Sequence, residues 1–229
     1  MGTARWFGGI ALLTLSVIGG SAALSVVPAA STPLEQSEST GPVYDGDFPD
    51  PSILVTKSRY YAYSTQSEGR NIPVITSSDL TSLGKPSDAL PVLPTWAEYG
   101  LTWAPAVSQS PTGGYEMYFV ARDRDLGMQC IGRAAAPSPQ GPFVDSDGQP
   151  FLCQASLGGS IDPYLFEDAG NSYLLWKSDG ANGMPQQLWS QRLKANQDGL
   201  LGSPSLLLSA TSSWEAGVVE GPAMLSTGK

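Results

Sequence analysis

Three carboxylates stand beside prolines at matched places in this sequence. Asp50 and Asp162 each directly precede a proline, and Glu220 lies two residues before one. A single acid of this kind is consistent with an ordinary turn. If the three carboxyls meet, their like charges raise the proton affinity of at least one, which gives a proton donor near neutral pH. One carboxylic acid to protonate a leaving oxygen and one carboxylate to activate water are the groups that glycoside hydrolysis requires.

An internal repeat gives the reason to expect these acids to converge. Four segments align: "DPSILVTKSRYYAYST", "APAVSQSPTGGYEMYFV", "DPYLFEDAGNSYLLWKS" and "GPAMLSTGK". Their prolines are separated by 54, 58 and 59 residues, and an aromatic run begins 9 or 10 residues after each of the first three. The repeat prolines are Pro51, Pro105, Pro163 and Pro222. Such even spacing indicates a duplicated supersecondary unit.

Each repeat has the pattern of consecutive β-strands. The turns "TKSR", "SPTGG" and "EDAGN" join short β-prone runs into hairpins. A third run follows ("IPVITSS", "CIGRAAA", "QQLWSQRL"), and then a less regular fourth ("DALPVL", "PFVDS", "SLLLS"). A period near 55 residues with about four strands predicts an all-β fold built of β-propeller blades. A two-sheet sandwich is the alternative, but it does not explain the recurring proline.

The fourth repeat supplies one strand and a turn before the sequence ends. We therefore expect an incomplete propeller over residues 43–229, with about three and a fraction blades. The alternatives are a fragment, a shortened gene product or a different architecture.

The N-terminal segment has the layout of a secretory signal peptide over residues 1–30. Arg5 precedes the apolar run "GGIALLTLSVIGG", and small residues follow, with cleavage expected after Ala23 or Ala29. A membrane anchor is the alternative, but the apolar core is shorter than the ~20 residues that a span needs. Residues 31–42 read as a polar tail. We expect a secreted, extracellular protein with no membrane contact after the signal is removed.

Composition narrows the partners and the chemistry. Only 14% of residues are charged and the net charge is −9, so a polyanion such as nucleic acid would be repelled. This balance favours a protein that handles neutral molecules. The sequence has no histidine, which removes serine-nucleophile catalysis of the histidine-dependent kind and makes a zinc site unexpected.

The two cysteines, Cys130 and Cys153, predict one disulfide in an exported chain. The chain-entropy model gives a loop of this length a stabilisation of about 3 kcal/mol. The alternative is a pair of free buried thiols.

Taken in order, "DFPDPS", "TWAPAV", "GGSIDPYLFED" and "VVEGPAM" resemble the motifs of glycoside hydrolase family 43. The segment "CIGRAAAPSPQGPF" is also similar to the second-blade segment of that family. The resemblance runs from about Gly41 to the C-terminus. It implies a five-bladed β-propeller acting on arabinose- and xylose-containing polysaccharides. A fructan-acting relative is less consistent with the residues, because that group usually begins "NDPNG" and this sequence reads "FPDPSI".

The resemblance implies a role for each acid. Asp50 matches the general base, Glu220 the general acid, and Asp162 the carboxylate that orients the acid and tunes its pKa. The family inverts the anomeric centre, which implies that the Asp50 and Glu220 carboxyls lie about 6.5–9.5 Å apart. The expected partner is a neutral plant cell-wall polysaccharide or oligosaccharide, bound by a monomer. No cofactor and no metal ligand are predicted, and calcium, which the resemblance allows, is not inferred from these residues.

Two aromatic residues near the repeat starts are candidates for sugar contact. Trp103 precedes the small residue that opens the second repeat, and Phe48 lies two residues before Asp50. We interpret Trp103 as a wall of the same pocket, and an ordinary core position is the alternative for both. The remaining tryptophans outside the N-terminal segment are interpreted as packing residues: Trp96, Trp176, Trp189 and Trp214. A catalytically silent propeller that only binds carbohydrate is the alternative function.

Overall fold

The computed structural model describes residues 41–145 and 147–227. The predicted signal peptide and most of the polar tail lie outside these residues. The described strands are β1 (Ser52–Val55), β2 (Tyr60–Tyr63), β3 (Pro73–Ser77), β4 (Ser87–Asp88), β5 (Trp103–Gln109), β6 (Tyr115–Arg122), β7 (Gln129–Ala136), β8 (Val144–Asp145), β9 (Ser160–Asp168), β10 (Asn171–Ser178), β11 (Gln187–Leu193) and β12 (Leu200–Ser209).

Within the described residues these strands form three four-stranded antiparallel sheets, each with its strands side by side in chain order. We call them blade one (β1–β4), blade two (β5–β8) and blade three (β9–β12). The innermost strand of blade two, β5, contacts both β1 and β9. The all-β propeller prediction is therefore confirmed, and each of the first three repeats forms one blade.

The fourth strands differ from the prediction. "DALPVL" was expected to form a strand, but β4 consists of Ser87 and Asp88 alone. The Asp88 carboxylate accepts hydrogen bonds from the backbone N–H groups of Asn71, Ile72 and Leu90. These side-chain bonds replace backbone hydrogen bonds between strands at this point. The prolines that follow lack the N–H that a ladder needs. In blade three, β12 is longer than predicted and begins at Leu200.

The blades pack through two hydrophobic cores that share β6. Side chains alternate between the two faces of a strand. Met117, Phe119 and Ala121 belong to the core between blades one and two, and Tyr118 and Val120 belong to the core between blades two and three. This explains why most of β6 is buried. The first core also contains Tyr63, Ile72, Val74, Leu90, Trp96, Ala134 and Phe143, and the second also contains Ile131, Ile161, Leu174, Trp176 and Leu193.

The residue before each repeat proline has a left-handed backbone. Its φ is 49° at Asp50, 40° at Ala104, 52° at Asp162 and 60° at Gly221. Left-handed φ is uncommon outside glycine, so its recurrence at four matched positions marks a shared backbone device. The fourth position is a glycine and carries no side chain, and the acid of the fourth repeat is the residue before it, Glu220.

Two of these positions are also β-bulges. In blade three the register shifts at Asp162 and Pro163, which lie together opposite Trp176. Blade two has the same shift at Ala104 and Pro105. A bulge tolerates proline and turns a side chain away from the ordinary alternation of the strand. The repeated bulge therefore aims the residue before the proline toward the inner edge of its blade.

The helical segments of the described chain are all short. Ala155–Leu157, Ala181–Gly183 and Ser213–Glu215 are single 3₁₀ turns. Among the residues that the structure describes, no helix is sufficiently long and apolar for a membrane crossing. Residues 221–227 of the fourth repeat contain no strand. Cys130 on β7 and Cys153 form the predicted disulfide, which joins blade two to the connection leading into blade three.

Candidate active site

The four repeat starts surround one open cavity of about 440 Å³. Three of its lining residues are the predicted acids Asp50, Asp162 and Glu220. The lining residues are Asp50, Pro51, Ser52, Ala104, Pro105, Asp162, Pro163, Tyr164, Glu220, Gly221, Pro222 and Ala223. The structure thus brings together carboxylates that are 112 and 58 residues apart in the chain, and it does so through the repeat itself.

Thr65 fixes the Asp50 carboxylate. Its hydroxyl donates a hydrogen bond of 2.6 Å to Asp50 Oδ2 and accepts one of 2.8 Å from the Ala104 N–H. Its own N–H donates to the Pro49 carbonyl at 3.0 Å. Thr65 therefore links the start of blade one to the start of blade two. The bond is made to Oδ2 of Asp50.

Asp162 is the most enclosed of the three acids. Its Oδ2 accepts a hydrogen bond of 3.0 Å from the Gly221 N–H, which ties blade three to the fourth repeat. Burial raises the pKa of Asp162 above its ordinary value of 3.8, the Gly221 N–H and the Lys177 ammonium oppose this rise, and the charges of Glu220 and Asp50 add to it. The protonation of Asp162 is therefore coupled to both of the other acids.

Glu220 is held by a buried lysine. Lys177 Nζ lies 3.2 Å from Glu220 Oε2, and the lysine side chain is only 5% exposed. The Glu220 side chain is 63% exposed, so its carboxyl is open to a ligand in the cavity while the ion pair with Lys177 restrains its position.

The two predicted sugar-contacting aromatics are not in this cavity. Trp103 does not line it, and its partly buried ring packs against the second core instead. The indole at the start of β5 packs between blades two and three, and contact of Trp103 with a sugar stays a prediction. Phe48 lines a separate apolar cavity on blade one and makes an edge-on contact with Tyr44, with ring centroids 5.6 Å apart.

Other aromatics are placed differently. Tyr164, which follows Pro163, lines the central cavity and was not singled out from the sequence. Trp96 and Trp176 are buried, and Trp189 packs against the second core, as expected of packing residues. Trp214 differs, since it is 83% exposed on the loop that precedes Glu220.

Sequence reasoning also missed Thr65 and Lys177. The positional signal for Lys177 was available, because it lies within the aromatic strand of the third repeat, where a lone cation inside a "YLLWKS" run is unusual. Thr65 gave no such signal, since threonine is common at strand ends. In the described part of the chain, no group of three or more His, Cys, Asp or Glu side chains is arranged to hold a metal ion, so no metal ligands are assigned.

Comparison with known proteins agrees with this geometry. The model of the family described as glycosyl hydrolases family 43 matches residues 39–228. The structure of a thermostable family-43 glycoside hydrolase is similar with a TM-score of 0.64 and 29% identity, over 73% of this chain and 55% of that one. The structure of an endo-arabinase from Bacteroides thetaiotaomicron is similar with a TM-score of 0.64 and 25% identity, over 74% of this chain and 58% of that one. The structure of an alpha-L-arabinofuranosidase from Clostridium thermocellum is similar with a TM-score of 0.51 and 25% identity, over 70% of this chain and 56% of that one.

The fold and the cavity define a β-propeller that carries acids at its repeat starts. The chain belongs to glycosyl hydrolases family 43. It spans a little over half the length of the first structures that it matches. A search of curated protein sequences gave no match.

Proposed function

We propose that this chain is a secreted, inverting glycoside hydrolase that cleaves arabinose- or xylose-containing plant polysaccharides or oligosaccharides. The observation that carries the proposal is the convergence of Asp50, Asp162 and Glu220 on one open cavity. Family membership supports the reaction class. The arabinan- and arabinofuranoside-acting relatives named above support the substrate class.

In this proposal the acids divide the work. Glu220 protonates the oxygen of the departing sugar, and Asp50 takes a proton from the water that attacks the anomeric carbon. Thr65 keeps Asp50 oriented for that transfer. Asp162, held by the Gly221 N–H, acts as the electrostatic neighbour of Glu220.

A competing assignment makes Asp162 the proton donor. Burial raises the pKa of Asp162 above its ordinary value, which is the direction that a proton donor requires. Against this, Asp162 already accepts the Gly221 N–H, whereas the Glu220 carboxyl is the more exposed of the two. The competing assignments make different predictions for substrates with good and poor leaving groups. A general-acid variant retains most activity on a para-nitrophenyl glycoside, which needs little protonation, and loses activity on an oligosaccharide. We expect Glu220→Gln to behave in this way and Asp162→Asn to lose activity on both substrates.

The test of the function is sugar release by the 229-residue chain from para-nitrophenyl arabinofuranoside and xyloside, and from arabinan. Asp50→Asn should lower kcat by about 10²–10⁴-fold, the usual contribution of general-base catalysis. Asp47→Asn is the matched control, since Asp47 is an exposed acid three residues upstream and does not line the cavity. Equal turnover by wild type and Asp50→Asn would overturn the proposal. Binding of arabinan without sugar release would favour the carbohydrate-binding alternative.

A further inference from the structure

Lys177 is an enclosed cation in a part of the molecule dominated by acids. Its side chain is 5% exposed, and it is one of only 12 lysine and arginine residues in the whole chain. Removing an ammonium group from water costs several kcal/mol unless opposite charges compensate. The surroundings of Lys177 must therefore supply negative charge.

Three acids from different parts of the fold supply it. Glu220, from the fourth repeat, is 3.2 Å from Lys177 Nζ. Asp162 lies on the neighbouring strand β9, where Lys177 pairs with Ile161, and Asp179 follows the end of β10. The positive charge of Lys177 lowers the pKa of both aspartates against the larger effect of their burial, which raises it. Asp50 interacts with Asp162 and is held separately by Thr65.

The strand geometry explains how one lysine reaches acids on two repeats. The bulge at Asp162 and Pro163 turns the Asp162 side chain toward the cavity, next to the point where Lys177 pairs across the ladder. The Gly221 N–H bond to Asp162 then places the preceding residue, Glu220, within reach of the same ammonium. The positions of the Asp162 and Glu220 carboxylates are therefore both fixed near the Lys177 ammonium.

We propose that Lys177 is a positioning residue of the active site, which holds the Glu220 carboxyl beside Asp162 and balances the charge of the acids around it. This inference rests on the proposed function only for its catalytic consequence. Without Lys177, the exposed Glu220 side chain has more freedom to turn into solvent. Proton donation to the departing sugar should then become less efficient.

The first test is the variant Lys177→Gln, which keeps an N–H donor and removes the charge. Its kcat on an arabino-oligosaccharide should fall about tenfold, the usual loss for a hydrogen bond to a charged group. The loss on a para-nitrophenyl glycoside should be much smaller, because that leaving group needs little protonation. Lys177→Arg should restore most of the oligosaccharide activity. Equal losses on both substrates would indicate a purely structural lysine and overturn the proposal.

The second test does not depend on turnover. Carbon-13 NMR titration of the aspartate carboxyls should show Asp162 and Asp179 titrating at higher pH in Lys177→Gln than in wild type. The matched control is Lys194→Gln, which removes the same charge from a lysine that is 51% exposed and paired with Asp198. Unchanged titration of Asp162 in folded Lys177→Gln would contradict the proposal. A clear shift in a chain that releases no sugar would support the charge-balancing role of Lys177 and count against the proposed function.

Discussion

At the scale of single residues, Asp162 combines a functional position with an unfavourable environment. Burial raises its pKa above 3.8, so the folded state binds a proton at Asp162 more readily than the unfolded chain does. Its ionised form therefore reduces stability, and this effect is absent below pH ~3.8 and grows as pH rises through the folded pKa. Buried carboxylates whose charge lowers stability are typical of active sites, where the requirements of activity and stability oppose each other.

We predict that Asp162→Asn raises the free energy of unfolding at pH 7, because the amide oxygen still accepts the Gly221 N–H and no buried charge remains. The gain should shrink as the pH approaches 3.8. Urea unfolding at both pH values measures it. Glu167→Gln, an exposed acid on the same strand, is the control and should show neither effect. A loss of stability for Asp162→Asn at pH 7 would contradict this view of the site.

Thr65 offers a second residue-scale prediction. Thr65→Val removes the hydroxyl that joins Asp50 to the Ala104 N–H, and Thr65→Ser retains it. We expect kcat on a para-nitrophenyl glycoside to fall about tenfold in the valine variant, since a hydrogen bond to a charged group is lost. Thr65→Ser should remain close to wild type. Matching losses in the two variants would assign the effect to packing.

The acids of the site were predictable from the sequence, while their partners were not. Asp50 and Asp162 directly precede repeat prolines and Glu220 lies two residues before one, and the repetition indicates that they converge. Thr65 and Lys177 contact them across blade boundaries, so their roles depend on how blades pack. Periodicity within one blade carries no information on that packing.

At the scale of elements, the left-handed residue before each proline is the device that the repeat preserves. Gly221 adopts this backbone freely, and a Cβ added there meets no atom within 4 Å. Gly221→Ala should therefore lower stability through backbone conformation alone, by about 1 kcal/mol. Ala104→Gly, at the matched position of blade two, should raise stability by up to about 1 kcal/mol. Chemical denaturation measures both changes, and effects of the same sign would contradict the shared conformation.

Hairpins and third strands were predicted well because their turns and β-prone runs are local signals. The fourth strands were predicted poorly. In blade one the Asp88 side chain replaces ladder bonds, and two prolines end the strand. In blade three β12 extends beyond the apolar run through pairing with β11. Both results depend on neighbours that a run of residue types does not reveal.

At the scale of the whole molecule, the disulfide joins successive blades. Cys130 lies on β7 of blade two, and Cys153 belongs to the connection into blade three. Because the cysteines are 23 residues apart, the double variant Cys130→Ala/Cys153→Ala should lose about 3 kcal/mol of unfolding free energy. Urea unfolding in oxidising buffer measures this loss, and reduced wild type should lose a similar amount. A double variant as stable as oxidised wild type would refute this role for the bond.

The central claim is that acids contributed by different repeats act as one catalytic unit. Residues that act as a unit give strongly non-additive losses when removed together. The most direct measurement is kcat/KM on an arabino-oligosaccharide for Asp50→Asn, Glu220→Gln and the double variant. We predict large losses for each single variant and little further loss for the double. Losses that multiply in the double variant, or single variants as active as wild type, would contradict the claim.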